Sequence, residues 1–288
     1  SLSMLPIVFA LCCLFFSALN DFVFKLYARR GRSRGTYIAI IGVVWVAVFC
    51  LFFDFSYENW QVTVLWGLIA GLLSVVANIL LVESMTSQEA GVCSTIYRLN
   101  LVVVVLGAFV LLGESLTYWK IGGVLLAVTA VFLFLGTDGG KSHAMLRKGT
   151  YLAVIAAFLR AGMGLSYKYA FIEGADRSGL LALTGSVWIV GGLSYAFFRE
   201  GGIGFSHRKS WGYGLLSGLL ICGIVYFMAL ALQYGEAGIV LPIAQMSFLG
   251  TFVLGVFFLK ESLSRRKLLG IAVGILCVFV MSAGQWLG

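Results

Sequence analysis

The chain has 288 residues, 61% of them hydrophobic and 11% charged, with a mean hydropathy of +1.01. An average soluble domain carries about 25% charged residues, so this composition excludes a water-soluble globule. Two prolines exclude a proline-rich or disordered protein, and a net charge of +8 in so apolar a chain points to loops facing anionic lipid, not to nucleic acid.

A helix needs about 20 apolar residues to cross a bilayer. Ten such stretches follow in chain order: 5–27, 36–56, 60–85, 89–113, 118–136, 149–172, 178–198, 211–234, 237–259 and 266–287. Lipid offers the backbone no water to bond with, so each stretch is predicted to be a helix. None shows the alternation of a membrane barrel strand. The first stretch is too long for a cleaved signal peptide, and its charges follow the apolar run instead of preceding it. The predicted fold is an all-α integral membrane protein.

The longest loop, Thr137 to Lys148, divides the chain into halves 1–140 and 141–288, and the halves repeat. Glu89-Ala90-Gly91 recurs as Glu236-Ala237-Gly238, and Glu114-Ser115-Leu116 as Glu261-Ser262-Leu263. Lys120 recurs as Lys267 and Gly123 as Gly270, every pair at an offset of 147. Five spans per repeat is an odd number, so the second copy lies upside down relative to the first. Inverted repeats of this kind build secondary transporters with a site between the halves.

Lys and Arg in short loops set the orientation. The side reached by the C-terminus of the first span carries Arg29, Arg30, Arg32, Arg34, Lys141, Arg147, Lys148, Arg199, Arg208, Lys209, Lys260, Arg265, Arg266 and Lys267. The other side carries Lys120 and Arg177. This bias predicts a multi-pass protein of the inner or plasma membrane with both chain ends outside the cytoplasm.

The turns Gly113-Glu114-Ser115-Leu116 and Lys260-Glu261-Ser262-Leu263, each after the fourth span of its repeat, resemble the drug/metabolite transporter superfamily, and within it the ten-helix EamA-type members. The resemblance covers the whole chain. It implies a transporter of small organic solutes, often an exporter, working by alternating access through a cavity lined mainly by spans 1, 3, 4, 6, 8 and 9. Two features depart from the family pattern. Members often carry a proline thirteen residues before the turn glutamate, where this chain has Leu101 and Phe248; Pro242 lies earlier in the ninth span, and the fourth has none. Members also usually keep both termini in the cytoplasm, against the charge count here.

A charged side chain at mid-bilayer costs a few kcal/mol and needs a cavity or a partner. Arg160 lies near the middle of the sixth span and Arg98 inside the fourth. A guanidinium matches carboxylate or phosphate bidentately and stays charged, so either is a candidate anion site; the alternative is structural pairing with Asp21 or Glu83. Asn20, Asp21, Asn78, Glu83 and Arg98 have comparable depth and are candidates for one polar cluster, with Asp21 or Glu83 taking a proton, or for a network that locks helices together. Gln245 stands at the repeat-equivalent position of Arg98. Tyr97 and Tyr226 are candidate aromatic walls, set against packing roles. Lys25 and Lys168 either snorkel or gate. Glu114 and Glu261 are read as turn residues at the start of the helices that follow them.

No metal-ligand spacing, P-loop or buried Ser–His or Cys–His pair appears, so neither a cofactor, a metal nor an enzymatic activity is expected. The six cysteines read as small buried hydrophobes. The expected partners are a small-molecule substrate and membrane lipids, with the protein a monomer or homodimer. The reading is a secondary transporter of an anionic or zwitterionic metabolite such as an amino acid. The alternatives are a proton-coupled exporter of organic cations, with Asp21 and Glu83 as the site, and a membrane scaffold without a solute path.

Overall fold

The structure is a computed structural model that describes residues 4–28, 33–87, 96–134, 143–203, 208–260 and 263–287. Glu89-Ala90-Gly91, Cys93, Arg29, Arg30, Arg32, Lys141, His207, Glu261 and Ser262 lie outside those residues, as do the side chains of Lys25, His143, Arg147, Arg208 and Lys209.

The described chain is helical: α1 Leu5–Ala28, α2 Arg34–Phe52, α3 Trp60–Ser87, α4 Asn100–Leu112, α5 Tyr118–Phe134, α6 His143–Ile172, α7 Arg177–Arg199, α8 Arg208–Tyr234, α9 Ala237–Gln245, α10 Ser247–Leu259 and α11 Arg265–Leu287. Among the described residues eight segments are long and apolar enough to cross a bilayer, and 96–112 and 118–133 are shorter apolar helices. Together they form the ten spans, α9 and α10 being two parts of the ninth.

The duplication governs the packing. α3 packs on α6, and their counterparts α8 and α1 pack on each other; α3 packs on α7 as α8 packs on α2. The pairs α2–α7 and α5–α11 join repeat-equivalent elements, and α4–α9 joins parts of the equivalent fourth and ninth spans, so all three straddle the pseudo-two-fold axis. The α2–α7 pair is antiparallel, as inversion requires: a Cβ at Gly35 would lie 2.5 Å from the Ala196 nitrogen, and one at Gly192 would lie 2.5 Å from the Ala39 nitrogen. Trp45 and Trp188 meet across this seam with ring centroids 5.6 Å apart. Gly67 and Gly71 receive Leu183 and Val187 of α7, while Gly214 and Gly218 receive Ile40 and Val44 of α2. The small-xxx-small spacing thus serves contacts within the chain. Most helix contacts run between the repeats, so the halves interleave.

The fourth and ninth spans are both interrupted, at equivalent residues. Near Leu99 the turn tightens, with Leu99 N–H donating to Ile96 O and Val102 N–H to Leu99 O, each at 3.1 Å. Near Met246 the same pattern recurs, with Met246 N–H on Ile243 O and Leu249 N–H on Met246 O, again at 3.1 Å. Leu99 and Met246 are 147 positions apart. The fourth span therefore breaks without a proline, and the ninth breaks four residues beyond Pro242. Both spans also end in left-handed residues at one register, Gly113 at φ 67° and Lys260 at φ 53°.

Candidate functional site

The break at Met246 frees backbone groups in the middle of the fold, and the side chain that takes them is Arg98. Its Nη1 donates to the Gln245 carbonyl at 3.1 Å and to Ser247 Oγ at 3.2 Å, and its Nη2 lies 3.2 Å from Asp21 Oδ2. Ser247 Oγ donates to the same Asp21 oxygen at 3.2 Å. The Phe248 ring lies beneath the guanidinium, 5.1 Å from its carbon. Arg98 and Asp21 thus neutralise each other where α1, the fourth span and the broken ninth span meet, with side-chain exposures of 19% and 38%. Their charge-assisted bonds offset the loss of water around both ions.

Arg160 is placed differently. It is the thirteenth residue of the 25-residue span Lys148–Ile172, at the level where the bilayer is least polar. Its Nη1 reaches Met163 Sδ at 3.2 Å, a soft and weak acceptor. Its charge is close enough to act on Cys13 of α1, Tyr97 of the fourth span and Tyr167 of α6. Among the described residues no carboxylate pairs with it. A half-buried guanidinium at that depth, held by a thioether, has hydrogen-bond donors without a partner among the described residues, which an anion can use.

The remaining candidates separate into distinct groups. Asn20 Oδ1 accepts from Ser217 Oγ at 2.7 Å, and Ser217 also bonds the Tyr37 hydroxyl, tying α1, α8 and α2. Glu83 turns away from Arg98: its carboxylate accepts from the Tyr195 hydroxyl at 2.6 Å and from Arg199 Nε at 3.1 Å, at the far end of α3 and α7. Asn78 is half-buried on α3. Tyr97 is half-buried beside Arg160, and its carbonyl accepts from Asn100 Nδ2 at 2.7 Å. Gln245 contributes its backbone carbonyl to Arg98. Tyr226 lies nearer the other face, under Arg177 at 5.5 Å and against Phe53 at 5.2 Å. A groove of about 490 Å³ runs between α3 and α7 from Leu72 to Arg199 and touches neither Arg98 nor Arg160. Sequence reasoning missed Ser247 and Met163; a serine two residues past Gln245 and a methionine in an apolar helix carry no signal in the one-dimensional pattern.

On the face where the chain begins, Glu114 binds a helix of the other repeat as well as Lys120 of the helix that follows it. Its Oε1 accepts from Ala237 N–H at 2.6 Å and its Oε2 from Gly238 N–H at 2.9 Å, capping α9 in the other repeat. Lys120 Nζ lies 3.4 Å from Glu114 and 2.7 Å from Glu236, and donates to the Ser115 carbonyl at 2.7 Å. Lys168 Nζ donates to the Leu232 and Gly235 carbonyls at 2.8 and 2.6 Å, closing the C-terminus of α8.

Ten spans in two inverted, interleaved repeats, with opposite charges and broken helices near the middle, define a polytopic membrane transporter of small solutes. The chain belongs to the EamA-like transporter family, whose sequence pattern matches residues 4–136 and again 147–283. That family is one of transporters, not of enzymes. A solved protein crystal structure of 12% identity superposes with a TM-score of 0.81 over 96% of this chain and 95% of its own, so it shares the fold. No curated protein matches the sequence.

Proposed function

We propose that the protein is a secondary transporter that carries a small anionic or zwitterionic metabolite by alternating access, with Arg160 receiving the solute's carboxylate. One observation carries this reading: of the two mid-membrane arginines, Arg98 is neutralised by Asp21, while Arg160 has no carboxylate among the described residues. The charge balance of the two arginines and one aspartate leaves a single positive charge, which suits a monoanion or the carboxylate of an amino acid. Tyr97 stands beside that guanidinium. Asn20, Asn78, Gln245 and Tyr226 are proposed to line the path, and Asp21 to couple a proton by releasing Arg98. Glu83, held by Tyr195 and Arg199, is proposed as a second titrating group at the end of α3.

The test is uptake of radiolabelled neutral amino acids and short monocarboxylates into proteoliposomes. Arg160→Ala is expected to lower the rate at least tenfold, and Arg160→Lys to restore part of it, since the charge remains but the planar fork does not. Unchanged uptake in Arg160→Ala removes the site. Uptake of quaternary ammonium compounds instead of carboxylates assigns Asp21 as the cation site. The charge bias of the loops supports chain ends outside the cytoplasm, and protease access to a tag at either end in intact cells decides that orientation.

A further inference from the structure

The two motifs that recur at one register turn out to be the two halves of one contact. Glu114 comes from the Glu-Ser-Leu of the first repeat, and the amides it caps come from the Glu-Ala-Gly of the second. Lys120, also duplicated, pairs with the glutamate of that same Glu-Ala-Gly. The residues shared between otherwise diverged repeats are therefore the ones that fasten one repeat to the other. The fastening is sealed: the side chains of Lys120 and Glu114 are 2% and 8% exposed. Gly238 makes room for it, because a Cβ there would sit 3.1 Å from Glu114 Oε2. Glu236, by contrast, is 41% exposed, so water reaches one partner of the ammonium.

The same residue types recur in the sequence at the repeat-related positions, as Glu261, Lys267 and Glu89-Ala90-Gly91. Of these, only Lys267 lies among the described residues, and its setting differs from that of Lys120: it is half-buried, with its ammonium 4.8 Å from the Phe252 ring centroid.

We propose that Glu114 and Lys120 are gating residues: by pinning the first amides of α9 they hold shut the face where the chain begins, and this latch opens during each transport cycle. The proposal rests on the transport reading above. A static role predicts a clasp that stays closed as long as the protein is folded. A gating role predicts that weakening the clasp moves population between two folded states.

The experiment measures distance between nitroxide labels at Tyr118→Cys and Tyr234→Cys, both exposed positions flanking the clasp, in a cysteine-free background in liposomes. The parent is expected to show a dominant short distance. Glu114→Gln and Lys120→Met are each expected to shift at least half the population to a longer distance while helicity by circular dichroism stays unchanged. Should either variant fail to fold, Gly238→Ala crowds the carboxylate without removing a charge and is expected to give a smaller shift in the same direction. Identical distance distributions in parent and folded variants overturn the proposal. The readout needs no solute, so a shift in a protein that carries none of the tested solutes fails the transport reading alone.

Discussion

Arg98 donates a hydrogen bond to the backbone carbonyl of Gln245, the residue that occupies its own register in the other repeat. Two equivalent positions can touch only if they lie beside the pseudo-two-fold axis. At that point the repeats have diverged: one presents a guanidinium, the other an amide side chain and a broken helix. The axis therefore passes through a site that is asymmetric in charge, with Asp21 on one side of the guanidinium and no acid at Asp21's repeat-equivalent position, Lys168.

The Arg98–Asp21 pair is neither fully exposed nor sealed, so its worth falls between the surface and buried limits, about 1–2 kcal/mol. A double-mutant cycle of Arg98→Gln and Asp21→Asn, read by thermal unfolding in detergent, is expected to give a coupling of that size. Coupling near zero would mean that Ser247 and the Gln245 carbonyl hold Arg98 by themselves.

Arg160 has the opposite signature. A guanidinium at mid-membrane without an acid partner among the described residues costs stability, and the proposed function gives that cost a purpose. Arg160→Met is expected to raise the unfolding temperature while abolishing uptake of the labelled carboxylates. A fall in unfolding temperature together with intact uptake would assign it a structural role.

Trp45 and Trp188 meet at the α2–α7 seam but are bonded unequally. Trp188 Nε1 donates to Ser74 Oγ at 2.6 Å, whereas Trp45 Nε1 is buried without an acceptor among the described residues. Trp188→Phe is expected to cost about 1 kcal/mol more than Trp45→Phe, because only the former breaks a hydrogen bond. Equal melting temperatures for the two variants would contradict this.

Close backbone approach at Gly192 has no slack, since a methyl there would strike the Ala39 nitrogen of α2 at 2.5 Å. Gly192→Ala is expected to destabilise by about 3 kcal/mol, the upper range for overpacking, and to reduce the yield of folded protein. Gly122→Ala, whose new methyl would meet Val280 at 3.8 Å, is expected to leave both unchanged. Measuring monodisperse yield and melting temperature of the two side by side checks the contrast.

Some of this was written in the sequence. Ten apolar stretches of spanning length, the 147-residue repeat and the odd helix count fixed an inverted two-repeat membrane fold, because lipid leaves the backbone no alternative to helix and parity leaves the second copy no alternative to inversion. Arg98 and Arg160 were visible as charges where charge is costly. The pattern did not separate their roles. Asp21, Glu83 and Arg98 lay at similar depth in one dimension, yet Asp21 reached Arg98 while Glu83 turned to Tyr195 and Arg199, since rotation about a helix axis is set by packing and leaves no trace in depth. The sequence also located Glu114 at a turn without naming its receptor, and it marked no break at Leu99, where no proline stands. Only the tertiary structure decided these, because inter-repeat contacts join residues more than a hundred positions apart, and their pairing follows from how the two interleaved copies cross at the pseudo-dyad.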